Sequence, residues 1–233
     1  SVKKKNKSTS NIHVFNSEYE KEQYLENKKN YNVIKCGSFK YDKSWQKLLS
    51  NIFYKKSQKK LILYIMTDHQ DKNKLAEFNF LNYMSNQKYY DFVICPPSRD
   101  YYNFFKKNKK FKIFESKINF EDSLIKISQQ ADYFFTTISG GVVDGIVRLK
   151  SIYFLKFLQN NNLNRSLIFD EFKCFFKITD FEDLKSSLKE QNLMTKLSFS
   201  QKKEYIKFLN KYIFFENLRD KIINNFKDYV IKK

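Results

Sequence analysis

The stretch that most constrains the fold of this chain is residues 131–157, ADYFFTTISGGVVDGIVRLKSIYFLKF. Asp132 opens an apolar run through Ile138 that is short and rich in aromatic and β-branched residues, the pattern of a buried strand. Ser139, Gly140 and Gly141 follow. Over 142–149, Val142, Val143, Ile146 and Val147 recur at helical spacing; Lys150 and Ser151 break the pattern, and residues 152–155 form a second apolar run. The order predicts a strand, a glycine turn, a short helix and a strand. Gly140 and Gly141 open that helix and Gly145 lies inside it, in a chain with only four glycines. Small residues there let a ligand approach the backbone, and N–H groups at a helix start favour an anion, with phosphate the natural candidate. The same residues also suit a strand–turn–helix with nothing bound. No Gly-Lys-Ser/Thr closes the turn as in a P-loop, and a GxGxxG fingerprint is absent.

Strand–helix alternation extends along most of the chain. Strands are expected at 33–36, 61–66 (LILYIM), 91–95, 112–114 and 174–178, with a short apolar segment at 11–15 and another at 167–169. Helices are expected at 18–26 behind a Ser17 cap, 43–53, 73–84, 99–107, 120–130 and from Asp180 or Phe181 to Glu190. Ser198, Phe199 and Ser200 read as the cap of a long C-terminal helix, 201–231, and 159–164 as an Asn-rich loop. Such alternation predicts an α/β fold: a Rossmann-like, mostly parallel sheet with helices on both faces, plus the C-terminal helix. The expected division is a disordered linker or stub at 1–10, a nucleotide-binding domain at 11–200 and the helix at 201–233. Ligands in such sheets bind at the carboxyl ends of strands, near a switch in strand order, so the loops 67–70, 95–99 and 136–141 compete for the site.

Composition narrows the class. With 42% hydrophobic and 18% aromatic residues, the chain can bury a core and is not disordered. No apolar run approaches the roughly 20 residues of a membrane span, no signal-peptide pattern opens the sequence, and the start at Ser1 leads us to expect a processed product or an excised fragment. The net charge of +19 calls for anionic partners, yet the lysines are spread over 3–5, 55–60, 106–112 and 232–233. That spread fits solvated faces better than the single stripe of a nucleic-acid binder. Cys36, Cys95 and Cys174 are odd in number and far apart, which suits buried free thiols in a reducing compartment, the cytoplasm.

The segment order resembles the C-terminal half of GT-B glycosyltransferases, especially those making bacterial capsule and other surface polysaccharides, including the CDP-glycerol glycerophosphotransferase-like group. NIHVFNSE at 11–18 resembles the segment leaving the N-terminal domain, and VIKCGSFKYD at 33–42 the passage that begins the C-terminal one. Residues 61–67 are similar to the first core strand, and ADYFFTTISGG…KSIYF at 131–154 to the passage that holds the donor nucleotide. The resemblance implies a donor site in which Ser139, Gly140 and Gly141 face a diphosphate, Thr137 stands beside them, Thr67 and His69 approach from the first loop, and Asp144 reaches a ribose or sugar hydroxyl. It implies a nucleotide-sugar or CDP-linked donor, a glycan or lipid-linked acceptor, and a place at the inner face of the membrane. It also implies a transferase that needs no metal or cofactor and is inactive without an N-terminal domain. His69 is the one candidate for a general base. The family often carries His-Pro after the strand matching 91–95; here Pro96-Pro97 stand, so that histidine is missing.

Other chemistry-bearing residues have plainer readings. Asp68, His69, Gln70 and Asp71 read as a solvated loop before a metal cluster, His13 as a packed histidine, and Asp170-Glu171 as a turn or cap. Arg148 and Lys150 read as an exposed basic helix face before phosphate ligands. Tyr101-Tyr102 and Phe104-Phe105 read as core before base-stacking platforms. The competing function is a basic α/β module that binds nucleic acid or an anionic surface without catalysis.

Overall fold

In this computed structural model the residues described are 12–15, 22, 32–35, 41, 58–67, 74–108, 110–113, 124, 127–137, 139–159, 175–189, 193 and 197–213. The chain divides into two compact units, Leu49–Tyr205 and a smaller one made of Ser1–Leu48 with Ile206–Lys233. In the smaller unit β1 (Ile12–Phe15) and β2 (Asn32–Lys35) pair in parallel, Ile12 opposite Asn32.

The larger unit runs β3 (Lys60–Ile65), α1 (Lys74–Ser85), β4 (Tyr90–Cys95), α2 (Arg99–Lys107), β5 (Tyr133–Thr136), α3 (Val142–Val147) and β6 (Ser151–Leu155). A 3-10 turn at Lys156–Leu158, β7 (Phe176–Ile178), α4 (Phe181–Lys189) and the start of α5 (Phe199–Tyr212) complete it. All five strands are parallel, in the order β4-β3-β5-β6-β7. Ile113 adds a one-residue parallel bridge outside β4, where the Ile94 N–H donates to the Lys112 carbonyl (3.0 Å). With that bridge counted as a strand, the unit's order becomes 3-2-1-4-5-6, the order of dinucleotide-binding sheets.

Burial on both faces explains the near-continuous apolar strands. Side chains alternate across the pleat. Ile62, Tyr64 and Met66 join Tyr133 and Phe135 in a core covered by Phe80, Leu81 and Met84 of α1, Phe105 of α2 and Leu184 and Leu188 of α4. On the opposite face, α3 lies so close to β5 that a Cβ at Gly145 would meet the Phe134 ring at 3.0 Å. Helices therefore cover both faces, as the alternation predicts.

The differences from the sequence reading are local and have causes. The strand expected from Asp132 to Ile138 is shorter. Asp132 instead pins the entry, its carboxylate accepting from the Leu61 N–H (2.8 Å) while its own N–H donates to the Leu61 carbonyl (2.9 Å). The helix expected to Leu149 stops at Val147, because Leu149 turns into the left-handed region (φ 52°). There the Leu149 N–H donates to the Ile146 carbonyl (3.0 Å) and the Lys150 N–H to the Gly145 carbonyl (2.9 Å), a Schellman closure with leucine where glycine is usual. The strand expected at 112–114 is only the Ile113 bridge, and that expected at 174–178 is described only as Phe176–Ile178. Ser198 caps α5 as expected: its Oγ accepts from the Gln201 N–H (3.2 Å) and its N–H donates to Gln201 Oε1 (2.9 Å). The helices expected at 18–26 (all but Glu22) and 43–53, the segments at 1–10, 160–164 and 167–171, and the C-terminal helix beyond 213 lie outside the described residues.

Candidate functional site at the sheet switch point

The switch in strand order falls between β3 and β5, and at such a switch open parallel sheets take their ligands at the carboxyl ends of the strands. Register sets what meets there. Ile65 stands opposite Thr136, so the next residues out, Met66 and Thr67 on one side and Thr137 on the other, emerge together. The hydroxyls of Thr67 and Thr137 lie 2.7 Å apart, 70 residues apart in sequence, and the two residues are only 5% and 3% exposed. Below them Thr136 Oγ1 donates to the Ile65 carbonyl (3.4 Å), and the Met66 N–H continues the ladder to the Cys95 carbonyl (3.1 Å). Two hydroxyls that face only each other share one hydrogen bond and leave one hydrogen to donate.

The turn beyond β5 is wound more tightly than a helix start with free amides. The N–H groups of Val142, Val143 and Asp144 donate to the carbonyls of Ser139, Gly140 and Gly141, each at 3.2 Å, and Ser139 Oγ accepts from the Gly141 N–H (3.2 Å). The orphan donors that a helix start normally offers are thus bonded within the turn, and an anion at this point would have to share them. The glycines divide by role. A Cβ at Gly141 would meet Ile65 Cγ2 at 3.0 Å and Leu124 Cδ2 at 3.1 Å, and one at Gly145 meets Phe134, so both let α3 sit down on the sheet. At Gly140, which is exposed, an added Cβ meets nothing within 4 Å. Among the described glycines only Gly140 faces open space.

Asp144 is fully buried. Its Oδ1 lies 3.5 Å from Arg148 Nη1, and the same nitrogen donates to the Asp144 carbonyl (2.9 Å). The arginine read as an exposed basic face is instead folded back along α3, its side chain only 10% exposed, with its charge against a carboxylate one turn away. Lys150 is half-buried, and its carbonyl accepts from the Tyr205 hydroxyl (2.9 Å), which ties α5 to the turn between α3 and β6. The structure thus gathers Thr67, Thr137, Ser139, Gly140 and Gly141 at the carboxyl edge of two adjacent strands. Asp144 it sets underneath.

The remaining candidates fare variously. His69, with Asp68, Gln70 and Asp71, lies outside the described residues, as do Cys36, Cys174 and the side chain of His13. Cys95 is a buried free thiol at the end of β4, and Pro96 beside it is buried. Phe105 is core, but Phe104 is exposed, and Tyr101 and Tyr102 are half-buried. Among the described residues no group of three or more His, Cys, Asp or Glu could hold a metal ion, and no helix is long and apolar enough to cross a membrane. The Thr67–Thr137 pairing was the feature hardest to foresee. Each threonine is visible at a strand end, but only the register joins them.

No family model and no curated protein sequence matches this chain. Solved structures do. A form of the wall teichoic acid polymerase TagF soaked with CDPG superposes with a TM-score of 0.61 at 15% identity, over 95% of this chain and 56% of that one. A UDP-N-acetylglucosamine 2-epimerase from Listeria monocytogenes gives 0.62 at 15%, over 96% and 61%. S. aureus MnaA, in a co-structure with UDP, gives 0.55 at 15%, over 95% and 60%. The fold is that of GT-B enzymes, as the sequence resemblance implied. This chain spans little more than half the length of each of these proteins.

Proposed function

We propose that this chain is the donor-binding part of a glycosyltransferase-like enzyme that holds a nucleotide-activated sugar, or a CDP-glycerol-type donor, by its diphosphate. The observation that carries the reading is the hydroxyl pair Thr67–Thr137 at the β3/β5 switch point, beside a turn whose one unobstructed glycine is Gly140. In this reading the diphosphate lies over Gly140 and accepts the spare hydrogen of the threonine pair. Ser139 and the amides of the turn add donors as charge develops on the leaving nucleotide, and His69 approaches from the first loop. Asp144 works from below, clamping α3 through Arg148. The similar structures, a wall teichoic acid polymerase with CDPG and an enzyme with UDP, support donors of this class and a role in bacterial surface polysaccharide synthesis. Acceptor binding belongs to a further domain, so the isolated chain binds donor without turning it over.

The test is thermal stability of the purified chain against UDP, CDP, GDP, CMP and short oligonucleotides, with Gly140→Leu and Ser139→Arg as controls. A ligand at a hundred times its dissociation constant adds about 2.7 kcal/mol, so a true donor base stands out. Stabilisation by one nucleoside diphosphate, lost in both variants, is expected. Equal small shifts with every anion, erased by salt and indifferent to either variant, would replace this reading with a basic binding module.

A further inference from the structure

α3 is only six residues long, and its far end is held in an unusual way. Six residues span about 9 Å, less than two turns, so the helix shifts as one piece. At its amino end is the turn that carries Ser139 and Gly140. At its carboxyl end is the closure in which Leu149 stands at φ 52°. A leucine in that conformation is strained and persists only where its surroundings hold it. Its own side chain is 43% exposed, so the hold comes from elsewhere. The next residue supplies it. The Lys150 N–H is bonded to the Gly145 carbonyl (2.9 Å), and the Lys150 carbonyl accepts from the Tyr205 hydroxyl (2.9 Å), 55 residues further along the chain. Tyr205 is fully buried in α5, its ring 5.8 Å from that of Phe175. On the other side Ser151 enters β6 opposite Tyr133, so the closure hangs between the sheet and a packed phenol.

We propose that Tyr205 is a positioning residue for the donor turn: through this phenol α5 holds the closure of α3, and with it the placement of Ser139 and Gly140 beside the Thr67–Thr137 pair. The proposal rests on the reading of that turn as the diphosphate site. The path from phenol to turn is short and bonded throughout. The Lys150 N–H reaches the Gly145 carbonyl, Arg148 Nη1 donates to the Asp144 carbonyl (2.9 Å), and the Asp144 N–H donates to the Gly141 carbonyl (3.2 Å). Gly141 and Gly145 rest the helix directly on Ile65 and Phe134, so slack at the closure lets α3 lift rather than sink. Coupling of this kind is reciprocal. Since the seated phenol favours the bound diphosphate, the bound diphosphate favours the seated α5 by the same factor.

The experiment is calorimetric titration of the full chain with UDP and CDP in turn, at a temperature where melts show every variant folded. Tyr205→Phe keeps the ring against Phe175 and removes the hydroxyl, and it should weaken diphosphate binding about fivefold or more. Leu149→Gly relieves the strain that the phenol restrains. Alone it should change affinity little; added to Tyr205→Phe it should restore most of the loss. That rescue separates positioning from lost stability, because the affinity of the folded chain does not depend on how much chain unfolds. Hydrogen exchange reads the reverse direction. Saturating diphosphate should slow exchange of the α5 amides around Tyr205 in the unaltered chain, less so in Leu149→Gly, and not in Tyr205→Phe. Equal diphosphate binding by the unaltered chain and Tyr205→Phe overturns the proposal and leaves the nucleotide reading standing. No binding by the unaltered chain overturns that reading and the proposal with it. Affinity lost in Tyr205→Phe and not regained with Leu149→Gly overturns the proposal as well, since the phenol then acts by a route other than the α3 closure.

Discussion

Gly140, Gly141 and Gly145 lie within six positions of one another, yet their surroundings set three different outcomes for the same substitution. Gly145→Ala sets a methyl 3.0–3.2 Å from three atoms of the Phe134 ring, which is fully buried in the core. A loss of about 1–3 kcal/mol in urea unfolding is expected, as for other overpacked cores. Gly141→Ala meets the ends of Ile65 and Leu124, which can shift by a few tenths of an ångström, so its cost belongs at the lower end of that range. Gly140→Ala meets nothing and leaves stability unchanged or raises it by up to about 1 kcal/mol, because the unfolded chain loses freedom. Leu149 is the converse case. A leucine at φ 52° in a Schellman closure pays for a conformation that glycine takes freely, and its side chain is 43% exposed. Leu149→Gly should therefore raise the urea midpoint, by about 1 kcal/mol in stability. Residues 140–145 also show where sequence reading stops. The glycines were visible as permission for close approach. Whether ligand or protein approaches depends on Phe134 and Ile65, whose positions no local spacing specifies.

Elements were more legible than their joints. Strands β3 to β6 announce themselves because burial on both faces demands unbroken apolar runs, and α5 because Ser198 and Gln201 form a reciprocal cap within four residues. Pairings across some 70 residues leave no trace in either strand alone. The joint between β3 and α1 is the buried hydrogen bond from the Tyr64 hydroxyl to Glu77 Oε1. Tyr64→Phe keeps the ring's edge-on contact with Phe80 and removes only this bond, so it should cost about 1–3 kcal/mol by denaturant titration. The joint between β3 and β5 behaves differently. If Thr67 and Thr137 share a single spare donor, either Thr→Val change alone leaves the other hydroxyl free to donate, and diphosphate affinity falls little. The double variant loses the donor outright. Calorimetric titration should therefore show a non-additive cycle, with most of the loss, about 1 kcal/mol or more, appearing only in the pair.

At the scale of the molecule, buried phenols tie stability to alkaline pH. Burial pushes the phenols of Tyr64, Tyr90 and Tyr133 above their ordinary value, and Glu77 pushes Tyr64 further. An unfolded tyrosine ionises near pH 10, so the stability these groups contribute is complete below about pH 10 and is lost as pH rises through their folded values. Melting temperature should fall across that window, and Tyr64→Phe, already less stable at neutral pH, should show a shallower fall. The parallel sheet has a consequence in time as well. β3 is central, and its partner β5 is bonded to it at Leu61 and Asp132, 71 residues apart. At roughly 5–20 residues per second of synthesis, several seconds pass between the two leaving the ribosome. Throughout that interval the nascent chain presents LILYI with one edge unpaired, a surface that a chaperone, or another nascent copy, reaches before its own partner does.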